Sequence, residues 1–280
     1  MAFSFEQLTG ESGAAAVMGI LNLSPDSFHA GNRCTTVDSA IRSAEKMVQE
    51  GAHIIDVGAE STRPGSGPIP PELELERLLP VVSELAKRLP VPLSVDTWKP
   101  QVALAVLQEG AAVINDVTGL QTCAETARIV KQNGAGVVVM HMQGTPATMQ
   151  ENPTYQDVIT EVIEFLRRSV EIAESAGIAP DAIAVDPGIG FGKTLEHNLE
   201  LIGNLNRFKI LQKQILLGVS RKSFIGQILN LEVEERLEGS LAAGVAGVLN
   251  GANILRVHDV KETAQAVRIA RSIREAGEEK

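Results

Sequence analysis

Eight short runs rich in branched aliphatic residues recur along the chain, each followed by a loop and a stretch with helical spacing. They are AVMGILN (16–22), HIIDVG (53–58), PLSVD (92–96), AVINDV (112–117), GVVVMH (136–141), AIAVD (182–186), ILLGV (215–219) and NILRV (253–257). Several are almost continuously apolar, as strands buried on both faces must be. The helical stretch at 36–52 stops on Gly51. That at 71–89 sets Leu73, Arg77/Leu78, Val81/Val82 and Leu85 at helical spacing behind Pro71, and the longest, 155–177, closes on Gly177. Eight strand-then-helix units without a break in composition predict one (β/α)8 TIM barrel over residues 1–280, with 1–15 as an N-terminal extension. A doubly wound open sheet is the structural alternative. The longest irregular stretches, 23–36 and 59–70, each follow a strand, where a barrel carries its chemistry.

Composition narrows the function. Of 280 residues, 44% are hydrophobic and 21% charged, enough for a filled core and contrary to general disorder. A formal net charge of −10 argues against nucleic acid as the main partner. It leaves room for an anionic small substrate, since groups at a site outweigh a distant, screened net charge. Cys34 and Cys123 form no disulfide framework and no zinc spacing. Residues 1–13 have neither a basic nor an apolar leader region, and no apolar run reaches the ~18 residues that span a bilayer. The expectation is a cytoplasmic protein without a membrane partner.

Polar residues gather where the strands end: Asn22, Asp56, Asp96, Asn115, Asp116, His141, Asp186, Arg256 and His258. Singly, each could cap a helix or satisfy loop amides. Together on one rim they suggest a site. Arg63, Lys222, Arg256 and His258 supply cationic donors and Asn22 a neutral oxygen, a set suited to a diphosphate with a magnesium ion. Asp96, Asn115 and Asp186 supply acceptors for a flat heterocycle rich in N–H donors. DPGIGFGKT (186–194) almost spells a P-loop, but Pro187 stands where the first glycine belongs. Its glycines read instead as a sharp turn beside a ligand, and Lys193 as a surface lysine. In SRKSFIG (220–226), Arg221 before Lys222 favours anion contact over Schiff-base chemistry.

With these residues assembled, the chain resembles the dihydropteroate synthase family from about Val17 to Ile273. The likeness rests on MGILNLSPDSF (18–28), IIDVGAESTRPG (54–65), SVDTWKP (94–100), INDV (114–117), MHMQGTPATMQ (140–150), DPGIGFGK (186–193), SRKSFIGQ (220–227) and RVHDVKET (256–263). It implies condensation of (7,8-dihydropterin-6-yl)methyl diphosphate with 4-aminobenzoate, giving dihydropteroate and diphosphate. By resemblance, Asn22 touches magnesium and, with Arg63, Arg256 and His258, holds the diphosphate. Asp96, Asn115, Asp186 and Lys222 bind the pterin, while Phe28, Thr62, Pro64, Phe191, Lys222 and Ser223 border the aminobenzoate. Catalytic work then falls to Asn22, Arg63, Lys222, Arg256 and His258, in a homodimer joined through helices away from the mouth. The chain departs from the family at SFHAGN (27–32), where Ala30 replaces a loop aspartate that helps close over the amine. Asp26 remains, and His29 is read as an exposed loop residue. Trp98 is expected to pack on the rim, His53 and His197 to be structural or exposed, and Asp56 to anchor loops within the mouth. His141 either lines the mouth or sits in the core. A methyl-folate:corrinoid methyltransferase and a non-catalytic pterin-binding barrel are the other readings.

Overall fold

The computed structural model describes residues 2–9, 15–23, 33–61 and 65–278. Its strands are β1 (Ala16–Asn22), β2 (Ile54–Gly58), β3 (Leu93–Asp96), β4 (Val113–Asp116), β5 (Gly136–Met140), β6 (Ile183–Asp186), β7 (Gln214–Leu217) and β8 (Ile254–Val257). All pair in parallel, in chain order, and β8 returns to β1 to close the barrel. Closure rules out the open doubly wound sheet. The helices are α1 (Glu6–Thr9), α2 (Arg33–Gln49), α3 (Pro71–Arg88), α4 (Pro100–Gln108), α5 (Glu125–Gln132), α6 (Val158–Ser175), α7 (Leu195–Gly203), α8 (Ser223–Leu229), α9 (Leu237–Leu249) and α10 (Val260–Glu278). Because α2 begins at Arg33, the irregular stretch expected over 23–36 is shorter than its sequence suggests. β7 lies one residue earlier than its apolar run begins, and Gly218 and Val219 belong to the loop. Among the described residues, no helix is long and apolar enough to cross a membrane.

Strand side chains alternate between two environments. Val17, Ile55, Val57, Ile114, Val139, Val185, Leu217 and Leu255 face outward into the main core beneath the helices. Met18, Ile54, Val113, Val138, Ala184, Leu216 and Ile254 form a second, inner cluster at the barrel floor. Residues 2–9 complete that floor. Phe5 is wholly buried within the inner cluster, with Phe3 packed against it edge-on at 4.9 Å between ring centroids. The Phe3 amide donates to the Gly134 carbonyl and the Phe5 amide to that of Asp181, at 3.0 and 2.9 Å. Gly136 at the start of β5 leaves the Phe3 ring its space, since a Cβ there would press on it at 2.5 Å. The Phe5→Ala variant should lose about 3–5 kcal/mol of stability, read as a lower urea midpoint.

Candidate active site

The period that builds the floor also builds the site. Two residues beyond Ile54, Val113, Ala184 and Ile254 stand Asp56, Asn115, Asp186 and Arg256, pointing into the same column nearer the mouth. Arg256 reaches from β8 across to β2 and β3: Nε donates to Asp56 Oδ2 at 2.6 Å and Nη2 to Asp96 Oδ2 at 3.0 Å. Asn115 Nδ2 donates to the same Asp56 oxygen at 3.3 Å. Asp56 is wholly buried, so the guanidinium offsets a charge that water cannot reach. Burial lifts the Asp96 carboxyl to about 7, against the pull of Arg256 and with the push of Asp56. Burial likewise raises Asp186, although the Gly188 amide donates to its Oδ1 at 2.7 Å. Gly58 carries no side chain where a Cβ would touch both Asn22 Oδ1 and Asp96 Oδ2, so these two oxygens face one space.

The turn after β6 is tied down from several sides. Gly188, Gly190 and Gly192 have φ of +69°, +83° and +63°, and a Cβ on Gly188 would strike the His141 carbonyl. The Gly190 amide donates to Asn198 Oδ1 at 2.7 Å, and its carbonyl accepts from Gln150 Nε2 at 2.8 Å. The Phe191 amide donates to Gly188 O at 3.1 Å, and Tyr155 Oη donates to Gly192 O at 2.6 Å. A phosphate cradle needs free amides, and those of Gly188, Gly190 and Phe191 are engaged. The turn lines the site instead: the Phe191 ring lies 4.1 Å from Lys222 Nζ. Burial depresses the Lys222 ammonium to about 8, with Asp186 opposing the shift and Arg256 adding to it.

Lys193 corrects its sequence reading. It is not a surface side chain but is 3% exposed, with Nζ donating to the carbonyls of Gly188 and Phe191 and bonding His141 Nδ1, each at 2.9 Å. Burial depresses its ammonium to about 7, Asp186 pulling the other way. Burial and the Lys193 charge hold the His141 imidazole far down, and the Lys193 ammonium, which can only donate, takes Nδ1 as its acceptor.

Two clamps join neighbouring loops. After β7, Arg221 has φ of +56° and grips Asp259 through two hydrogen bonds of 3.0 and 2.6 Å, while Ser220 Oγ meets His258 Nδ1 at 3.1 Å. Lys222 and Ser223 follow directly, with Ser223 exposed at the first position of α8. His258 is exposed at the rim, and desolvation together with the nearby Arg256 and Arg221 charges holds its imidazole below the ordinary value. After β2, Glu60 accepts from Lys99 Nζ, from Trp98 Nε1 at 3.1 Å and from the Ile69 amide at 2.9 Å. Lys99 also pairs with the buried Glu74. Glu60 thereby holds together both ends of the loop that contains 62–64.

A family model described as pterin binding enzyme matches residues 18–258. The dihydropteroate synthase of Escherichia coli is 46% identical over 264 residues, covering 94% of this chain and 93% of its own length. That of Synechocystis sp. is 43% identical over 255 residues, covering 91% and 88%. Among solved structures, the Yersinia pestis dihydropteroate synthase with a sulfonamide drug complex gives a TM-score of 0.90 at 41% identity, covering 98% of this chain and 100% of that one. The Xanthomonas albilineans dihydropteroate synthase with 4-aminobenzoic acid gives 0.87 at 40% identity, covering 94% of each.

The chain belongs to the pterin-binding enzyme family. These relatives are synthases, so neither the methyltransferase nor the non-catalytic reading draws support from them. Within this family member, Asp96, Asn115, Asp186, Phe191, Lys222, Ser223, Arg256, His258 and Asn22 lie at the strand ends and loops of one mouth. Phe28, Thr62, Arg63 and Pro64, with Asp26, His29 and Ala30, lie outside the described residues. Asp56 anchors the side chains of Arg256 and Asn115 rather than loops. Asp116 is buried and holds its own turn, accepting from Thr118 and Leu120. Trp98 packs on the rim against Glu60, and His53 and His197 are structural, accepting from the amides of Val17 and Thr194. His141 is a core histidine. Among the described residues no group of three or more His, Cys, Asp or Glu could hold a metal. The exposed Asn22 amide oxygen nevertheless fits an ion such as magnesium, which keeps water and substrate oxygens and needs few protein ligands. Gly188→Ala should destabilise the fold by at least about 2 kcal/mol, lowering the thermal midpoint, because both φ and space are wrong for a side chain.

Proposed function

We infer that this barrel works as a dihydropteroate synthase, joining (7,8-dihydropterin-6-yl)methyl diphosphate to 4-aminobenzoate. One observation carries the reading: the acceptors Asp96, Asn115 and Asp186 share a mouth with the cations Arg256 and Lys222. The acceptors take the N–H edge of the pterin, and Asp96 exchanges its bond with Arg256 for bonds to the heterocycle. Arg256, Arg63 and His258 then face the diphosphate, whose charge raises the His258 pKa and makes the imidazole a better donor. Asn22 would hold magnesium, which offsets diphosphate charge when bound. The methylene C–O bond breaks with its electron pair leaving on diphosphate oxygen. The aminobenzoate nitrogen forms the new C–N bond and gives up a proton to solvent. Phe191, Ser223 and the Lys222 stem border the incoming ring, with Phe28, Thr62 and Pro64 completing the pocket. The side chains thus bind, orient and neutralise, and none forms a covalent bond to substrate. The protein acts in the cytoplasm as a homodimer joined through helices away from the mouth.

Three measurements test this reading. Mass spectrometry of protein mixed with both substrates and magnesium should detect dihydropteroate, and a chelator should abolish it. Calorimetry should find pterin binding severely weakened in Asp186→Ala while circular dichroism stays unchanged; intact affinity would refute the acceptor role. Pterin N–H donors need an ionised Asp96, whose folded carboxyl titrates at about 7. Affinity should therefore be full above that value and fall about tenfold for each pH unit below it, a slope that Asp96→Asn should flatten.

A further inference from the structure

We propose that Lys193 is the positioning residue of the pterin site: it does not touch substrate but fixes the turn that carries Asp186 and Phe191. An ammonium has three N–H donors, and here each has a buried acceptor: Gly188 O, Phe191 O and His141 Nδ1, all at 2.9 Å. Two of these acceptors belong to the turn after β6, and the third follows the last residue of β5. Lys193 therefore ties the turn to a neighbouring barrel strand. The consequence reaches the site by short paths. Gly188 donates to Asp186 Oδ1 at 2.7 Å, so moving Gly188 re-aims the carboxylate that accepts from the heterocycle. Phe191 faces Lys222 Nζ at 4.1 Å, so moving its carbonyl shifts the wall that borders the aminobenzoate in the synthase reading. Gly190 lies between them, close enough that a Cβ would meet Lys222 Cδ at 3.3 Å.

A hydrophobic side chain could fill the same volume without the cost of burying an amine, but it would strand the Phe191 carbonyl and an imidazole nitrogen and leave Gly188 O with only its bond from the Phe191 amide. Bare packing does not set this geometry, because the alternate glycines 188, 190 and 192, all with positive φ, have no side chains to pack. The other tethers, from Asn198, Gln150 and Tyr155, hold Gly190 and Gly192. Lys193 is the side chain that holds Gly188 and Phe191 together.

The role of Lys193 in ligand binding rests on the synthase reading, so its test includes a measurement that needs no substrate. In Lys193→Met, amide exchange of the peptide covering 186–192 should accelerate by about tenfold or more while the other strands keep their protection. Unchanged protection there would overturn the proposal whatever the enzyme does. In the same variant, the pterin Kd and the aminobenzoate KM should each rise about tenfold, with kcat at saturation within about threefold of the parent. A variant that is merely less stable, with both constants at parental values, would reduce Lys193 to a structural role and also overturn the proposal. Should Lys193→Met fail to fold, Tyr155→Phe removes the Gly192 tether without disturbing a buried charge. It should raise both constants by about threefold, and parental constants would count against control of the site by the turn. If the parent protein makes no dihydropteroate, the synthase reading fails alone, because the exchange experiment still decides what Lys193 does.

Discussion

The mouth of the barrel depends on one guanidinium. Asp56 lies in the inner column directly above an apolar floor, with no water to solvate it. An isolated carboxylate there would carry an uncompensated desolvation cost. Arg256 removes that choice by reaching across the column, and in doing so it also aligns Asp96 and, through Asp56, Asn115. Three strands are thus brought into electrostatic register by a side chain from a fourth. The Asp56, Asp96 and Asn115 side chains are thus positioned by folding itself, and their desolvation is already met in the folded barrel.

Around this centre, the loops are fastened in pairs rather than singly. Glu60 and Lys99 join the loops after β2 and β3, Lys193 and His141 those after β5 and β6, and Arg221 and Asp259 those after β7 and β8. Each clamp joins residues that follow adjacent strands, so each acts over the distance that barrel pairing already brings close. At the turn after β6 the clamp also serves the backbone, since Lys193 takes the Gly188 and Phe191 carbonyls.

Much of this was legible in the sequence, and the rest was not for a physical reason. Strand runs such as GVVVM announce themselves because burial on both faces demands apolar residues at every position. Asp96, Asn115 and Asp186 are legible because polar residues ending several such runs fall together on one rim, where helix capping explains any one of them but not the set. The clamps are different. Lys193 in a glycine-rich turn has the local look of a solvated lysine, and its burial depends on His141, more than fifty positions away in the chain. Glu60, Glu74 and Lys99 lie on separate segments with no shared period, and the pairing of Arg221 with Asp259 exists only once β8 stands beside β7. Ion pairs across loops leave no periodic trace, since their partners are chosen by the closed barrel and not by neighbours in the chain. Phe3 and Phe5 likewise sit in what reads as an N-terminal extension, with no period to mark them, until the floor they fill is built.

That floor has a consequence for the order in which the molecule is made. Phe3 and Phe5 dock on Gly134, Gly136 and Asp181, and the cluster that encloses Phe5 includes Leu216 and Ile254. A ribosome exposes the two rings long before it has produced the strands that bury them. Through most of synthesis, then, the growing chain carries an aromatic pair with no home. The last strand to emerge both closes the ring of hydrogen bonds and completes the enclosure of Phe5, so the two events coincide. A polypeptide released before residue 254 would bare an incomplete inner column and an aromatic segment at once, the kind of apolar exposure that favours aggregation.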